Sequence, residues 1–387
     1  MARSDGIDIT FQTLYSELVQ RSLDETFTSE FSSKGRFVSV EVKSRKYWYF
    51  DMPRPEGGQE RRYVGPQDDP EITKRVETFK DLKADIKRRR RMVSTLTREA
   101  YLPKPPLTTG RVVEELANAG FFRLRGVLVG TVAYQCYSAV LARRLDAASM
   151  QTGDADFAQF RETSIAIGDS LPPILEVLQK VDPTFREVPS QADGRVSTQF
   201  VSREQFKVEF LTPNRGSDDV ADKPVKMPAL GGAAAYPLRF LDFLIRHPIR
   251  AVLLHGAGVP VTIPSPERYA VHKLIVASRR RDDRDVMAKS AKDRLQARSI
   301  FQALILNHQQ ADMALAFMEA WDRGDAWREA IRKSLATYDE KMQSSFQEAL
   351  AKGIKELGDN PAAYGLAEDT SDDDADDQTA SPGKSFP

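Results

Sequence analysis

The chain has 387 residues, of which 41% are hydrophobic and 29% charged, the composition of an ordinary globular protein with a sizeable core. Lys and Arg together number 56, as do Asp and Glu, so the formal net charge is zero. The single cysteine, Cys136, excludes an internal disulfide and a thiolate zinc cage.

The charges are segregated along the chain. Basic runs stand at residues 87–91 and 279–281, while aspartates concentrate at 372–377. The body without the acidic tail is therefore basic, which permits a polyanionic partner. No apolar run approaches the roughly 18 residues of a membrane helix, and no secretory leader pattern stands at the N-terminus. We expect a soluble, cytoplasmic protein.

The first hundred residues predict an N-terminal unit over 1–105. Apolar residues recur with a helical period over 8–28, and the pattern changes to alternation over 35–65. The alternating part predicts two strands joined by a loop, a small hairpin unit. A long, highly charged helix follows over 69–100, and the proline-rich segment 101–106 is typical of a linker.

The next segment, 106–264, predicts a mixed α/β domain. Its elements are a helix capped by Thr108 or Thr109 and ended by Gly120, a buried strand at 126–130, an apolar helix from Thr131 through Leu145, a strand at 153–157, a helix at 170–181, and hairpins at 197–211 and 249–263. Residues 214–228 are polar and predict a surface loop. The fold class is therefore α/β (α+β) with a mixed sheet.

The last hundred or so residues predict two further regions. Strong helix formers with few breakers predict a helical C-terminal domain over 265–357. The segment 358–387 is rich in Asp, Ser, Gly and Pro, a composition that predicts disorder.

Residues 126–158 carry the chemistry. The strand ends in Gly130-Thr131 and a helix begins at once. The glycine lets a phosphate approach the backbone, the helix N-terminus offers N–H groups and positive potential, and Thr131 adds a hydroxyl. Asp154 and Asp156 then lie at i and i+2, which on a strand is one face. Two carboxylates together with phosphate oxygens suit Mg²⁺. Neither the Gly130-Thr131 turn nor the Asp154-x-Asp156 pair is specific by itself, since a Gly-Thr after a strand is common and a lone Asp-x-Asp is typical of a solvated loop.

A third acid, Glu209, lies on a later strand that hairpin pairing could bring beside the Asp strand. Its carboxylate could act as a general base on an attacking hydroxyl, or bind a second metal ion. An exposed strand residue without a catalytic role is the alternative.

The combination of Gly130-Thr131, Asp154-x-Asp156 and a later acid resembles the polymerase-beta-type nucleotidyltransferase superfamily. More narrowly, residues 110–300 resemble a bacterial family of nucleotidyltransferase-fold proteins related to abortive-infection and toxin-type nucleotidyltransferases. The matching segments are 126–131, 133–134, 137, 154–158, 208–213, 238–242 and 264–280, with 63–66 in the N-terminal unit.

The resemblance implies an NTP substrate, Mg²⁺ or Mn²⁺ as cofactor bound by Asp154, Asp156 and Glu209, and transfer of a nucleoside monophosphate with release of pyrophosphate. The implied acceptor is an RNA or tRNA 3′ end, a protein side chain or a small molecule. Lys273 corresponds to a lysine that faces the triphosphate in related enzymes, with Lys292-Asp293 as a second candidate. Glu209 stands where the superfamily usually has Asp, and the segment between Gly130 and Asp154 is longer than in minimal members.

Three alternatives remain open. The chain could be a degenerate member that binds nucleotide or nucleic acid without turnover. Residues 108–125 could instead belong to a winged-helix DNA reader. The aromatic segment 47–50, beside Lys43, Arg45 and Lys46, could stack nucleobases or simply pack a small sheet.

Overall fold

The computed structural model describes residues 6–24, 35–42, 44–53, 58–166, 170–190, 193–214, 223–279 and 284–366. The chain divides into two compact units, residues 1–265 and 266–387. The first unit combines helices with sheets, and the second is helical where described, so the predicted mixed α/β class with a helical C-terminal region is confirmed.

The N-terminal elements of the first unit are α1 (Ile9–Asp24), β1 (Arg36–Val42), β2 (Arg45–Pro53), β3 (Gln59–Pro66) and α2 (Pro70–Arg98). The three strands form an antiparallel sheet in the order β1-β2-β3. The predicted two-stranded hairpin was therefore wrong by one strand. The predicted turn at 53–58 separates β2 from β3, but no proline or glycine separates β1 from β2 in the sequence, so the pattern over 37–50 predicted a single strand.

The remaining elements of the first unit are α3 (Leu107–Asn118), β4 (Val127–Val129), α4 (Gly130–Val140), β5 (Asp154–Ala158), α5 (Arg161–Ala166), α6 (Ile174–Gln179), β6 (Arg186–Pro189), β7 (Ser197–Val201), β8 (Lys207–Pro213), β9 (Val225–Lys226), β10 (Ala234–Leu238), α7 (Leu241–Leu244), β11 (Ile249–Leu253) and β12 (Val259–Ile263). Strands β4 to β10 form the central sheet, and β11 pairs with β12 as the predicted hairpin.

The central sheet has β8 in its middle. Strand β5 runs parallel to β8 on one side, and β4 pairs antiparallel with β5. On the other side, β7 pairs antiparallel with the first half of β8 and β10 runs parallel to its last residues. The β7–β8 hairpin was predicted. Strands β6, β9 and β10 were not, since they are short and two of them contain a proline.

One face of the central sheet is packed with aromatic rings. Phe157 on β5 stacks on Phe210 of β8 at a centroid distance of 5.8 Å, and Phe200 and Phe121 meet these rings edge-on. All four side chains are fully buried. Because side chains alternate along a strand, this packing assigns the intervening residues to the opposite face.

Helices α1 and α2 pack on β11 through an apolar cluster that includes Leu18, Leu96 and Val252. The Tyr15 hydroxyl donates to the carbonyl of Val252 and accepts from its N–H. The basic run of α2 is not uniformly solvated. Arg89 is buried, where it is paired with Asp85 and donates to the carbonyl oxygen of Ala257.

Three predicted helix boundaries in the first unit were wrong. Helix α3 follows Pro106 without a side-chain cap, and Thr109 is buried within it. Helix α4 ends at Val140 rather than Leu145, because Ala142 adopts a positive φ of 52°. Helix α6 spans only Ile174–Gln179, since Pro172 and Pro173 disfavour helical backbone in the residues before them.

The second unit contains α8 (Pro266–Arg279), α9 (Arg284–Leu306), α10 (Gln310–Asp322), α11 (Asp325–Leu335) and α12 (Glu340–Glu356). A short 3₁₀ helix, Pro361–Tyr364, follows in the segment predicted to be disordered, and residues 367–387 of that segment lie outside the described residues. Among the described helices of either unit, none combines the length and apolarity needed to span a bilayer.

Candidate active site

The turn from β4 into α4 brings a helix N-terminus to the edge of the central sheet. Gly130 opens the helix with a φ of +65°, a conformation in which a β-carbon is disfavoured. The preceding residue, Val129, has no polar side chain with which to cap the helix. The first N–H groups of a helix lack intrahelical partners and lie at the positive end of its dipole, which suits them to bind phosphate.

Gly130 also lies directly against a carboxylate. A β-carbon built on this residue would collide with Oδ2 of Asp156. The glycine therefore serves two purposes, since it permits the left-handed turn and leaves room for the Asp156 side chain. The sequence predicted both residues for the site, and the structure brings them together.

Backbone register aligns the predicted acids across the sheet. Asp156 is paired with Val129 on β4 and with Glu209 on β8, and Glu209 is paired with Gln199 on β7. Asp154, two residues earlier on β5, is paired with Lys207. The face opposite the aromatic rings, which we call the site face, thus carries Asp154, Asp156, Lys207, Glu209 and Gln199.

Side-chain hydrogen bonds hold two of these carboxylates. The Thr152 hydroxyl donates to Oδ1 of Asp154, and the amide Nε2 of Gln199 donates to Oε1 of Glu209. Asp154, Asp156, Glu209 and Gln199 are all partly exposed, so the site face is open to a ligand. Thr131, the second residue of α4, is likewise partly exposed.

The arrangement fits a divalent cation shared with a substrate. In the part of the chain that the structure describes, no three His, Cys, Asp or Glu side chains are grouped so as to hold a metal ion by themselves. Mg²⁺ seldom has an all-protein cage and completes its coordination with water and phosphate oxygens. Asp156 lies beside the glycine turn and Asp154 is on the same face of β5, and carboxylates are the hard oxygen ligands that such a shared ion needs.

Helix α4 is anchored by its buried side chains, which fixes the turn at its start. The Tyr137 hydroxyl donates to the carbonyl of Pro264 at 2.8 Å, and Gln135 donates to the carbonyl of Met150. Cys136 is buried in the same helix, and burial raises the pKa of its thiol to about 12. A thiol that stays protonated and inaccessible is a packing group rather than a nucleophile.

Lys273 belongs to the second unit. Its ammonium lies 2.6 Å from Oδ1 of Asp293 on α9 and 5.3 Å from the centre of the Tyr269 ring. Both partners of the ion pair are almost fully buried. The predicted phosphate-binding role of Lys273, and the second candidate Lys292-Asp293, stay predictions from the family resemblance.

Sequence reasoning missed Gln199, Thr152 and Lys207. Lys207 and Gln199 reach the site through cross-strand register, and Thr152 reaches it through a hydrogen bond to Asp154 two residues along the chain. A signal was present for Gln199, because the predicted hairpin already placed its strand beside that of Glu209.

Comparison with known families gives a match. A family model described as nucleotidyltransferase covers residues 108–322, more than half of the chain. The matched region begins in α3, contains the whole site face and continues through α10. No curated protein and no solved structure gave a match.

Proposed function

We propose that this chain, which belongs to the nucleotidyltransferase family, uses its site face to transfer a nucleoside monophosphate from an NTP to a hydroxyl acceptor. The observation that carries the proposal is the register of β4, β5 and β8. It puts the Gly130 turn, Asp156 and Glu209 side by side on one face, with Asp154 on the same face of β5.

The N-terminus of α4 is the proposed phosphate site. Gly130 allows close approach of the triphosphate, and the following N–H groups and the Thr131 hydroxyl donate to its oxygens. Asp154 and Asp156 would hold Mg²⁺ or Mn²⁺, which when bound neutralises triphosphate charge and polarises the reacting phosphate. Positioning and charge neutralisation account for most of the catalysis in phosphoryl transfer.

Glu209 is the proposed general base. The acceptor oxygen attacks the α-phosphorus, its proton passes to the Glu209 carboxylate, and the bond from the α-phosphorus to the bridging oxygen breaks to release pyrophosphate. Gln199 donates to Oε1 of Glu209, which leaves Oε2 for this task. Binding a second metal ion is the other role compatible with a carboxylate at this position.

Labelled nucleotides test the proposal directly. The protein is incubated with each NTP, labelled in turn at the α- and γ-phosphate, together with bulk RNA or protein and Mg²⁺. We expect the α-label to enter the acceptor and the γ-label to appear in pyrophosphate. Asp154→Asn and Asp156→Asn should abolish both, while the control Asp193→Asn, in an exposed turn, should not.

Three outcomes would contradict the transfer reaction. Appearance of the γ-label in the acceptor would identify a kinase. Stable nucleotide binding without any transfer would support the alternative, a binding module, for which the engagement of Glu209 by Gln199 and of Asp154 by Thr152 is the favouring observation. Sequence-specific binding of duplex DNA that survives Asp156→Asn would point to a DNA reader.

A further inference from the structure

The N-terminal sheet has two faces of different character. Trp48 and Phe50 of β2 are buried towards α2, where the Trp48 indole donates to Thr73 and Phe50 meets Phe79 edge-on. Their neighbours Tyr47 and Tyr49 point to the other side and are partly exposed. The aromatic segment therefore divides between packing and a surface, which the sequence pattern left undecided.

Register defines the composition of that second surface. Val38 and Val40 of β1 are paired with Tyr49 and Tyr47, so their side chains share one face. We call this the outer face of the N-terminal sheet, and its described side chains include Arg36, Val38, Val40, Arg45, Tyr47, Tyr49, Asp51 and Arg61.

The charge of the outer face is positive. Arg36, Arg45 and Arg61 are exposed, while the carboxylate of Asp51 is only 2% exposed. Asp51 accepts two hydrogen bonds from Arg61, at 2.7 and 2.9 Å, and this holds the guanidinium 5.9 Å from the centre of the Tyr49 ring. An arginine fixed beside a tyrosine at a surface is arranged to contact both a phosphate and a nucleobase.

The two tyrosines have the spacing of a stacking platform. Residues at i and i+2 on a strand stand roughly 7 Å apart along it and face the same way. Sheets that present aromatic rings between cations bind single strands, because each unpaired base offers a flat face and each nucleotide a phosphate. In a duplex the base faces are already stacked on one another, so they cannot stack on the tyrosine rings.

We propose that the outer face of the N-terminal sheet binds single-stranded nucleic acid, with Tyr47 and Tyr49 stacking on unpaired bases and Arg36, Arg45 and Arg61 contacting phosphates. The further step, that the bound strand is the acceptor of the nucleotide, rests on the proposed function. Strand binding itself does not, since it needs neither NTP nor metal ion.

Binding is measured by fluorescence anisotropy with a short unstructured oligoribonucleotide, the full chain, EDTA and no NTP. We expect Tyr47→Ala/Tyr49→Ala to weaken binding roughly tenfold or more, since both stacking rings are lost. Tyr47→Phe/Tyr49→Phe should retain binding, because the rings remain. The matched control is Tyr101→Ala, which removes another exposed tyrosine.

The arginines are tested by charge reversal. Arg45→Glu should weaken binding and reduce its dependence on salt, while Arg195→Glu, the same charge change in an exposed turn, should have little effect. Circular dichroism and thermal unfolding of each variant establish that it is folded. Unlabelled oligodeoxyribonucleotide and duplex are then added as competitors. Displacement of the labelled strand by single-stranded RNA or DNA supports the platform. Stronger displacement by the duplex overturns it.

The outcomes separate this inference from the proposed function. Absence of binding by the wild-type chain, or undiminished binding by the folded Tyr47→Ala/Tyr49→Ala variant, overturns the platform whatever the transfer assay gives. Strand binding by a chain that transfers no nucleotide supports the platform and counts against the transferase. Transfer to RNA with a raised KM in the tyrosine variant and unchanged kcat supports both.

Discussion

The carboxylate of Asp156 packs against Gly130, at the position where the β-carbon of any other residue would lie. Gly130 stands at the junction of β4 and α4, and Asp156 is paired with the residue before it. The helix N-terminus and the acidic strand are therefore in direct contact. Any larger residue at position 130 disturbs both.

The first prediction is that Gly130→Ala disrupts the site. We expect the free energy of unfolding to fall by about 1–3 kcal/mol, because alanine is strained at a φ of +65° and its methyl group meets Asp156. Transfer activity should fall with it. Denaturant unfolding and the labelled-NTP assay measure the two effects. Gly153→Ala is the control, since a β-carbon there has no atom within 4 Å, and equal effects of the two changes would refute the proposed contact.

The second prediction separates the roles of Glu209 and Gln199. Glu209→Gln removes the proposed base and should lower kcat by about 100-fold or more. Gln199→Glu keeps the base but replaces its hydrogen-bond donor with a like charge. We expect this variant to transfer nucleotide with a lowered kcat, because the carboxylate of Glu209 is present but no longer held by Gln199.

The control for that charge change is Gln20→Glu, on the exposed side of α1. It should leave kcat unchanged. Transfer by Gln199→Glu at the wild-type rate would show that the hydrogen bond from Gln199 does not position Glu209, and full activity of Glu209→Gln would show that Glu209 is not the base.

The third prediction concerns the ion pair of Lys273 and Asp293. Asp293→Ala leaves a nearly buried ammonium without this partner and should lower the free energy of unfolding by about 3 kcal/mol. Lys273→Met/Asp293→Leu replaces both charges with apolar groups and should recover most of that loss. Denaturant unfolding measures both.

The same double variant tests the predicted phosphate role of Lys273. A stable protein that still transfers nucleotide at the wild-type rate would show that Lys273 serves folding alone. A stable protein with a raised KM for NTP would support a phosphate contact.

The fourth prediction uses the thiol of Cys136. The wild-type chain should not react with a thiol reagent near neutral pH until it is unfolded, because the side chain is buried and its pKa is raised to about 12. Since the folded pKa of about 12 lies above the ordinary value of 9.0, the thiol contributes its stabilisation fully only below about pH 9. That contribution is lost as the pH rises from about 9 to about 12.

Unfolding experiments across that pH range compare the wild type with Cys136→Ala. The alanine variant should lose the alkaline component of the decline and keep its transfer activity. Rapid native labelling, or loss of activity in a stable Cys136→Ala protein, would assign the cysteine a chemical role.

Much of the fold follows from local patterns. Helix α2, the β4–α4 turn, strand β5 and the β7–β8 hairpin were predicted within a few residues, because hydrophobic period and chain breakers determine them locally. Strand β10 was missed, since it does not alternate apolar with polar residues and is held by pairing with its neighbours. The burial of Arg89 was not predicted either, because the run of basic residues at 87–91 gives no sign that one of them points inward.

The sequence by itself determined that Asp154 and Asp156 share a face and that Gly130 opens a helix, because side-chain direction along a strand and backbone freedom at a glycine are local properties. Only the tertiary structure decided that Glu209 on β8 is paired with Asp156 on β5 and, on its other side, with Gln199 on β7. The stacking of Phe157 on Phe210 accompanies that register, and a slip of one residue would turn Glu209 into the aromatic core. Packing of the buried face therefore fixes which polar groups meet on the open one.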